Sequence, residues 1–140
     1  MIKRLAHLCF FTDNYQQMVN FYQQKLGLKL KFTFKGADEQ EFGCYFEAGD
    51  LSFIEIFDQA GAIKQWGGQL KELDQEGRYQ HFCLQVDGLE AECAALKQKG
   101  VEITPIKVGM DESKQAWIAD PDGNRIELMA YTDKSWQLRP

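Results

Sequence analysis

The chain contains the same ten-residue pattern twice, once near its start and once in its middle. Residues 4–13 and residues 78–87 share Arg, His, Cys and Asp at matching positions, 74 positions apart. A second pair of matching segments follows the two histidines at a similar distance. Residues 54–56 and residues 126–128 each place one glutamate between aliphatic residues. Self-similarity at a nearly constant spacing is the signature of a repeated structural unit. The sequence therefore predicts one unit written twice, with one histidine and one glutamate in each copy.

Length and charge limit the class of protein. A chain of 140 residues is one ordinary domain. With 16 Lys and Arg against 21 Asp and Glu, the net charge of −5 argues against nucleic-acid and anionic-membrane partners and favours a small-molecule substrate. The first residues run directly into a strand pattern, without a long apolar segment, so we expect a soluble, cytoplasmic protein. The four cysteines lack CxxC spacing and are expected to be free thiols.

Each copy shows the same order of secondary-structure signals after its histidine. A capping-box pair opens a helical apolar pattern and a glycine follows it. The pairs are Asp13 with Gln16 and Asp87 with Glu90, and the glycines are Gly27 and Gly100. Three strand-like runs come next, at residues 28–34, 41–47 and 51–57 and again at residues 101–108, 114–119 and 125–131. The pattern predicts an α+β fold of tandem βαβββ modules, whose curved mixed sheet forms a cup with the helices on the outside.

The module boundaries follow from these signals. Module 1 is expected at about residues 4–58 and module 2 at about residues 78–131. The polar, Gly-containing segment 59–77 is interpreted as the linker, with a short helix within 62–73. Residues 132–140 form a C-terminal tail of the single domain.

The histidine and the glutamate of each copy lie on predicted strands. Because side chains alternate across a strand, Glu55 and Glu127 point away from their aliphatic neighbours. The aliphatic faces are expected to carry the helices. The two glutamates, with His7 and His81, should therefore line the concave, helix-free side of the sheet.

This face has the chemistry of a metal site. A carboxylate between Phe53 and Phe57 on a half-buried surface is costly unless it is paired or bound to a cation. The repeat predicts one divalent metal site with four ligands, His7, Glu55, His81 and Glu127. Imidazole and carboxylate together suit Zn, Ni, Co, Mn or Fe. The alternatives are hydrogen-bonded structural histidines and solvent-facing glutamates. Cys9 and Cys83 are interpreted as small filler residues rather than soft ligands.

Two further stretches carry a resemblance to a known family. They are the helix end at residues 20–28, Asn-Phe-Tyr to Leu-Gly-Leu, and Asp-Pro-Asp-Gly-Asn-Arg-Ile-Glu-Leu at residues 120–128. Together with the doubled unit, they resemble the vicinal oxygen chelate superfamily over about residues 5–131. This superfamily includes glyoxalase I, fosfomycin resistance proteins, bleomycin-binding proteins, methylmalonyl-CoA epimerase and extradiol dioxygenases.

The ligand positions most resemble those of glyoxalase I, which has His or Gln, then Glu, His and Glu in chain order. The resemblance implies a metal-assisted proton transfer on a hydroxy-carbonyl substrate such as a hemithioacetal, with Glu127 or Glu55 as the base. It also implies a homodimer, in which His7 and Glu55 of one subunit meet His81 and Glu127 of the other. A site within one chain stays open as an alternative. Further residues form either an apolar wall around the intermediate or ordinary core, namely Phe11, Phe53, Phe57, Trp117 and Met129.

Two departures from the glyoxalase I pattern concern the thiol. Bacterial enzymes of this type tend to have an arginine four residues after the first histidine, where this chain has Phe11. The loop at residues 106–114 keeps Lys107 and Lys114 but differs from the usual glutathione-holding sequence. These departures imply the same metal-assisted proton transfer on a substrate that differs from that of glyoxalase I. The alternatives are a binding protein without turnover, similar to bleomycin resistance proteins, and a fosfomycin-type thiol transferase.

Overall fold

A computed structural model describes residues 5–73 and 81–138 of the chain. The chain divides into two compact units, residues 1–75 and residues 76–140. Each unit contains one copy of the repeat and one four-stranded mixed sheet. The α+β class and the tandem βαβββ order are confirmed. The expected start of module 2, residues 78–80, lies outside the described residues.

Unit 1 follows the predicted element order, and the short helix expected within 62–73 forms earlier, directly after the last strand. Its elements are β1 (His7–Thr12), α1 (Tyr15–Asn20), β2 (Lys29–Lys35), β3 (Glu41–Glu47), β4 (Phe53–Asp58) and α2 (Gln59–Trp66). A π-helical turn at Phe21–Lys25 continues α1, and Gly27 follows it with a φ of +71°. Glycine adopts this left-handed conformation without strain, which ends the helix as predicted. The strand order is β1-β4-β3-β2, with β1 parallel to β4 and the other pairs antiparallel.

Unit 2 repeats this arrangement with shorter outer strands. Its elements are β5 (Phe82–Gln85), α3 (Leu89–Gln98), β6 (Lys107–Val108), β7 (Lys114–Ala119), β8 (Arg125–Ala130) and a 3₁₀ turn at Trp136–Leu138. The strand order is β5-β8-β7-β6, again with only the first pair parallel. Across residues 5–73 and 81–138, no helix combines the length and the apolar composition that a bilayer span requires.

Helices α1 and α3 cover the aliphatic faces of the sheets, as predicted, whereas α2 packs against β3 and β4, with Ala62 and Trp66 beside Phe57 on the glutamate face. In unit 1, α1 packs against β4, and in unit 2, α3 packs against β7 and β8. The buried side chains include Met18, Tyr22, Phe46, Ile54 and Ile56 in unit 1 and Leu89, Leu96, Ile118, Ile126 and Leu128 in unit 2. Burial of such side chains stabilises each unit by roughly 1.5–3 kcal/mol per residue. The alternate strand residues, including both glutamates, consequently face away from these helices.

The predicted capping boxes are wrong. Asn14 rather than Asp13 is the N-cap of α1, and it makes no side-chain cap hydrogen bond. Its backbone N–H instead donates to Thr12 Oγ1, at 2.8 Å. The N-cap of α3 is Gly88, which has no side chain to accept a hydrogen bond. The spacing of Asp and Gln or Glu therefore marks where each helix begins, to within one residue, without forming the reciprocal bonds.

The predicted strand at residues 101–108 is also largely wrong. Only Lys107–Val108 pairs with β7 as a regular strand. Upstream, Thr104 makes two hydrogen bonds to the backbone of Trp117. The backbone N–H of Thr104 donates to the Trp117 carbonyl at 3.0 Å, and the backbone N–H of Trp117 donates to Thr104 Oγ1 at 2.9 Å. Pro105 has no N–H to offer a ladder. A side-chain hydrogen bond therefore replaces part of the expected strand pairing.

The turn that leads into β8 is built around the buried carboxylate of Asp120. That carboxylate accepts hydrogen bonds from the Asp122 N–H at 3.1 Å and from the Asn124 N–H at 2.8 Å and side-chain amide at 2.9 Å. Replacing Asp120 by Ala is expected to lower the free energy of unfolding by about 2–3 kcal/mol, because three donors lose a charged acceptor. Urea denaturation followed by tryptophan fluorescence measures this change. The Asp120→Asn control keeps an acceptor and should cost less; equal stability of both variants with wild type would contradict this account.

Candidate metal centre

Unit 1 holds His7 beside a buried carboxylate. The parallel pairing of β1 and β4 sets Cys9 opposite Glu55, and the antiparallel pairing of β4 with β3 sets Tyr45 on its other side. His7 Nε2 lies 3.6 Å from Glu55 Oε2. Glu55 is 9 % exposed, whereas the His7 side chain is 46 % exposed. The carboxylate is thus buried close to the sheet, and the imidazole lies above it, exposed to solvent.

Unit 2 repeats the pair with nearly the same geometry. Cys83 of β5 lies opposite Glu127, and Trp117 of β7 lies on the other side. His81 Nε2 is 3.3 Å from Glu127 Oε2, and Glu127 is 7 % exposed. The structure therefore brings each predicted histidine to the predicted glutamate of its own unit. That the two pairs meet around one cation stays a prediction.

An aromatic ring flanks each pair. The His7 imidazole meets the ring of Tyr45 edge-on, with centroids 5.7 Å apart. The His81 imidazole meets the ring of Trp117 in the same way at 4.8 Å. Sequence reasoning missed Tyr45 and gave Trp117 only as part of an apolar wall. The signal was present, because positions 45 and 117 have the same 72-residue offset as the two glutamates.

The groups around the carboxylates keep their protons at neutral pH. Burial, followed by the nearby Glu55 carboxylate, raises the pKa of the Cys9 thiol to about 12. Burial and the Glu127 carboxylate raise the pKa of the Cys83 thiol to about 12 as well. Burial and Glu55 also raise the pKa of Tyr45 above its ordinary value. Both thiols are therefore neutral beside the carboxylates.

The residues of each unit fit a divalent cation as partial ligand sets. Each carboxylate is buried, and its imidazole neighbour lies beyond the 2.7–3.2 Å of a good N–H···O hydrogen bond. In unit 1 the Cys9 thiol and the Tyr45 hydroxyl also donate hydrogen bonds to Glu55. One imidazole nitrogen and one carboxylate oxygen per unit match the preferences of borderline metals. Within the part of the chain that the structure describes, no three His, Cys, Asp or Glu side chains converge.

The faces around the two pairs differ in character. In unit 1, Phe11 and Phe57 contact each other at 6.4 Å between centroids, and Phe32 stacks on Tyr45 at 4.6 Å. A Cβ at Gly43 would come within 2.2 Å of the Phe57 ring, so glycine is what lets that ring lie across β3. Phe57 is buried in a core cluster, whereas Phe11 is 50 % exposed. The expected apolar wall is therefore partly core and partly open surface.

In unit 2, polar side chains stand where unit 1 has phenyl rings. At the positions equivalent to Phe11 and Phe53, the second copy has Gln85 and Arg125. The guanidinium carbon of Arg125 lies 4.5 Å from the centroid of the Trp117 ring. The repeat has kept the histidine, glutamate and aromatic positions while changing the residues beside them.

Comparison with known proteins gives a consistent family. The sequence model of the Glyoxalase/Bleomycin resistance protein/Dioxygenase superfamily matches residues 4–128. A lactoylglutathione lyase from Salmonella typhimurium is 28 % identical, with 93 % of this chain and 94 % of that protein covered. The glutathione transferase FosA from Serratia marcescens is 29 % identical, with 91 % and 81 % covered.

Solved structures share the fold. The antibiotic binding protein TnmS3 from Streptomyces sp. CB03234 has a TM-score of 0.67 and 22 % identity, with 94 % of this chain and 98 % of that chain covered. At this identity the likeness concerns the fold alone. A lyase, a transferase and a binding protein thus have similar architecture, and the choice between these activities depends on the residues of the site.

Proposed function

The chain belongs to the glyoxalase/bleomycin resistance protein/dioxygenase superfamily, and we propose that it is a metal-dependent lyase of the glyoxalase I type. The observation that carries this proposal is the repeated pair, an imidazole 3.3–3.6 Å from a buried carboxylate on the face of each sheet opposite α1 or α3. A buried carboxylate is costly unless it is paired or bound to a cation. The proposed substrate is a small hydroxy-carbonyl compound such as a hemithioacetal.

Four residues would hold the cation, namely His7, Glu55, His81 and Glu127. When bound, a divalent ion of the Zn, Ni, Co, Mn or Fe group stabilises negative charge on two adjacent substrate oxygens. The histidines bind through neutral ring nitrogens. In this proposal both units contribute, and the two pairs come from the two subunits of a homodimer.

The protein's own groups carry the proton. The carboxylate of Glu127 or Glu55 takes the proton from the carbon that bears the hydroxyl group and the sulfur, and returns it to the neighbouring carbonyl carbon. The hydroxyl proton passes to the other oxygen, so the hemithioacetal becomes the isomeric thioester with no atom gained or lost.

The similarity to FosA supports a second candidate, a thiol transferase that opens an epoxide. The two activities differ in their substrates and products. A lyase converts methylglyoxal and a thiol to a thioester, whereas a transferase joins a thiol to an epoxide carbon. Phe11, where glyoxalases of the bacterial type tend to have arginine, supports a thiol other than glutathione.

The test uses the full chain stripped with a chelator and reloaded with Ni, Co, Zn or Mn. Thioester formation is followed with methylglyoxal and a panel of thiols that includes glutathione, cysteine and 3-mercaptopropionate. We expect no turnover after chelation and recovery with at least one metal. A thiol adduct of an epoxide with Mn, without any thioester, would establish the transferase instead. Ligand binding that survives chelation without turnover would establish a sequestering protein.

A further inference from the structure

Arg125 lies beside the His81–Glu127 pair. It precedes Glu127 by two residues on β8, so both side chains leave the same face of the sheet. Its guanidinium carbon is 4.5 Å from the centroid of the Trp117 ring. The same ring meets His81 edge-on at 4.8 Å, and Trp117 lies opposite Glu127 in the strand register. One indole ring thus links the guanidinium to the candidate metal ligands.

The guanidinium of Arg125 has N–H donors that are not engaged by a carboxylate of the described residues. Glu127 pairs with His81, and across residues 5–73 and 81–138 no carboxylate forms an ion pair with Arg125. The side chain is exposed. A guanidinium is always charged and presents five N–H donors in a planar fork. Stacking on a ring uses its face and leaves the donor edges available.

The repeat shows that packing alone does not require an arginine here. The equivalent residue of unit 1 is Phe53, whose ring packs on Tyr45 with centroids 5.8 Å apart. Phe53 and Tyr45 correspond to Arg125 and Trp117, so the contact with an aromatic ring is kept while the phenyl ring is replaced by a cation. What unit 2 gains is a positive charge and a fork that matches a carboxylate.

There is also space for a ligand at this position. Arg125 and Trp117 line an open cleft of about 460 Å³, together with Thr104, Ala119 and Glu102, and Trp117 connects this cleft to the His81–Glu127 pair, which does not line it. Small-molecule sites typically have volumes of about 300–1,000 Å³. A single guanidinium matches the single charge of a carboxylate better than the two charges of a phosphate, while the Glu102 carboxylate disfavours more highly charged anions most strongly.

We propose that Arg125 binds a carboxylate of the substrate and thereby sets the specificity of the site. The substrate class is a hydroxy-carbonyl compound with a carboxylate on the part that extends from the reacting carbons, such as a hemithioacetal of a carboxylate-bearing thiol. The inference rests on the proposed function for the reaction. The binding role of Arg125 is separately testable.

The kinetic test compares two hemithioacetals of methylglyoxal, one with 3-mercaptopropionate and one with the neutral 3-mercaptopropanamide. Arg125→Phe reproduces the residue found at the equivalent position of unit 1, because it keeps a side chain that can contact the Trp117 ring and removes the charge. We expect this variant to raise KM for the carboxylate substrate about 10–100-fold, the loss expected for a charge-assisted hydrogen bond. Its kcat and its KM for the amide should stay near wild type. Arg125→Lys, which keeps the charge, should retain part of the preference.

The control removes a cation elsewhere in the same unit. Lys97→Gln lies in the last turn of α3, on the helix side of the sheet, and should leave the KM ratio of the two substrates unchanged. If Arg125→Phe keeps the wild-type KM ratio, or if wild type shows no preference for the carboxylate, the inference is overturned.

A binding measurement without turnover separates this inference from the proposed function. The Trp117 indole N–H, which donates to Gln115 Oε1 at 3.0 Å, is followed by NMR in the metal-loaded protein. Titration with 3-(methylthio)propionate should shift its resonance in wild type and in Lys97→Gln, and not in Arg125→Phe; the corresponding amide should give no shift. If this pattern appears without turnover of any hemithioacetal, the lyase proposal fails and the role of Arg125 stands. Turnover without the shift and without charge preference overturns the role of Arg125 and leaves the lyase.

Discussion

Replacing Glu127 by Gln is expected to lower kcat about 10²–10⁴-fold when the metal is saturating, if Glu127 is the base. A positioned general acid or base contributes a factor of this size. Glutamine keeps the shape of the side chain and one oxygen but cannot accept the proton. Because Glu127 is only 7 % exposed and lies 3.3 Å from His81 Nε2, the substitution changes the charge of a closed position without creating a cavity.

Glu55→Gln is the matched variant, because Glu55 holds the equivalent position in unit 1. The variant with the larger loss of kcat at saturating metal identifies the base, and the other should mainly lose metal affinity. Metal content and kcat are therefore measured for both variants across a range of metal concentrations. Glu72→Gln, which removes an exposed carboxylate of unit 1, should behave as wild type. Wild-type kcat in both Glu55→Gln and Glu127→Gln would refute the proton-transfer proposal.

Much of the site could be predicted because strand geometry is simple. Side chains alternate with a period of two, so the aliphatic neighbours of Glu55 and Glu127 already assign the opposite face to the glutamates. The structure confirms this alternation, with Ile54, Ile56, Ile126 and Leu128 buried on the helix side. The repeat then relates each histidine to its glutamate without knowledge of the pairing between strands.

Tyr45 shows what the sequence leaves undetermined. Its place beside Glu55 depends on the register between β3 and β4, and a register is fixed by tertiary packing and turn geometry rather than by the residues of one strand. Trp117 beside Glu127 depends on β7 and β8 in the same way. The repeat marks positions 45 and 117 as equivalent, but that each aromatic ring lies beside its glutamate became visible only when the strands were paired.

The strand prediction for residues 101–108 was largely wrong for a related reason. Its apolar alternation is compatible with a strand, but Pro105 cannot donate to a ladder and Thr104 satisfies the Trp117 N–H with its side chain. Local propensity and tertiary hydrogen bonding disagree here, and the hydrogen bonds decide the outcome. The same two bonds hold Thr104 against the strand that carries Trp117, next to Arg125.

Mixed dimers are expected to recover activity from two inactive variants. One variant carries His7→Ala and Glu55→Gln, and the other carries His81→Ala and Glu127→Gln, so each lacks the ligand pair of one unit. If each metal centre combines unit 1 of one subunit with unit 2 of the other, a mixed dimer contains one complete centre and one centre without ligands. Its kcat per dimer should be roughly half that of wild type, because a twofold-symmetric dimer has two equivalent centres.

The two variants are co-expressed with different affinity tags, and the mixed dimer is purified on both tags in succession. Dimers of either variant alone, purified in the same way, serve as controls and should be inactive. A centre formed within one chain gives the opposite result, because every chain in the mixed dimer then lacks one ligand pair and no recombination restores it. An inactive mixed dimer, with both variants folded and paired, would therefore exclude the shared centre and assign His7, Glu55, His81 and Glu127 of a single chain to one cation.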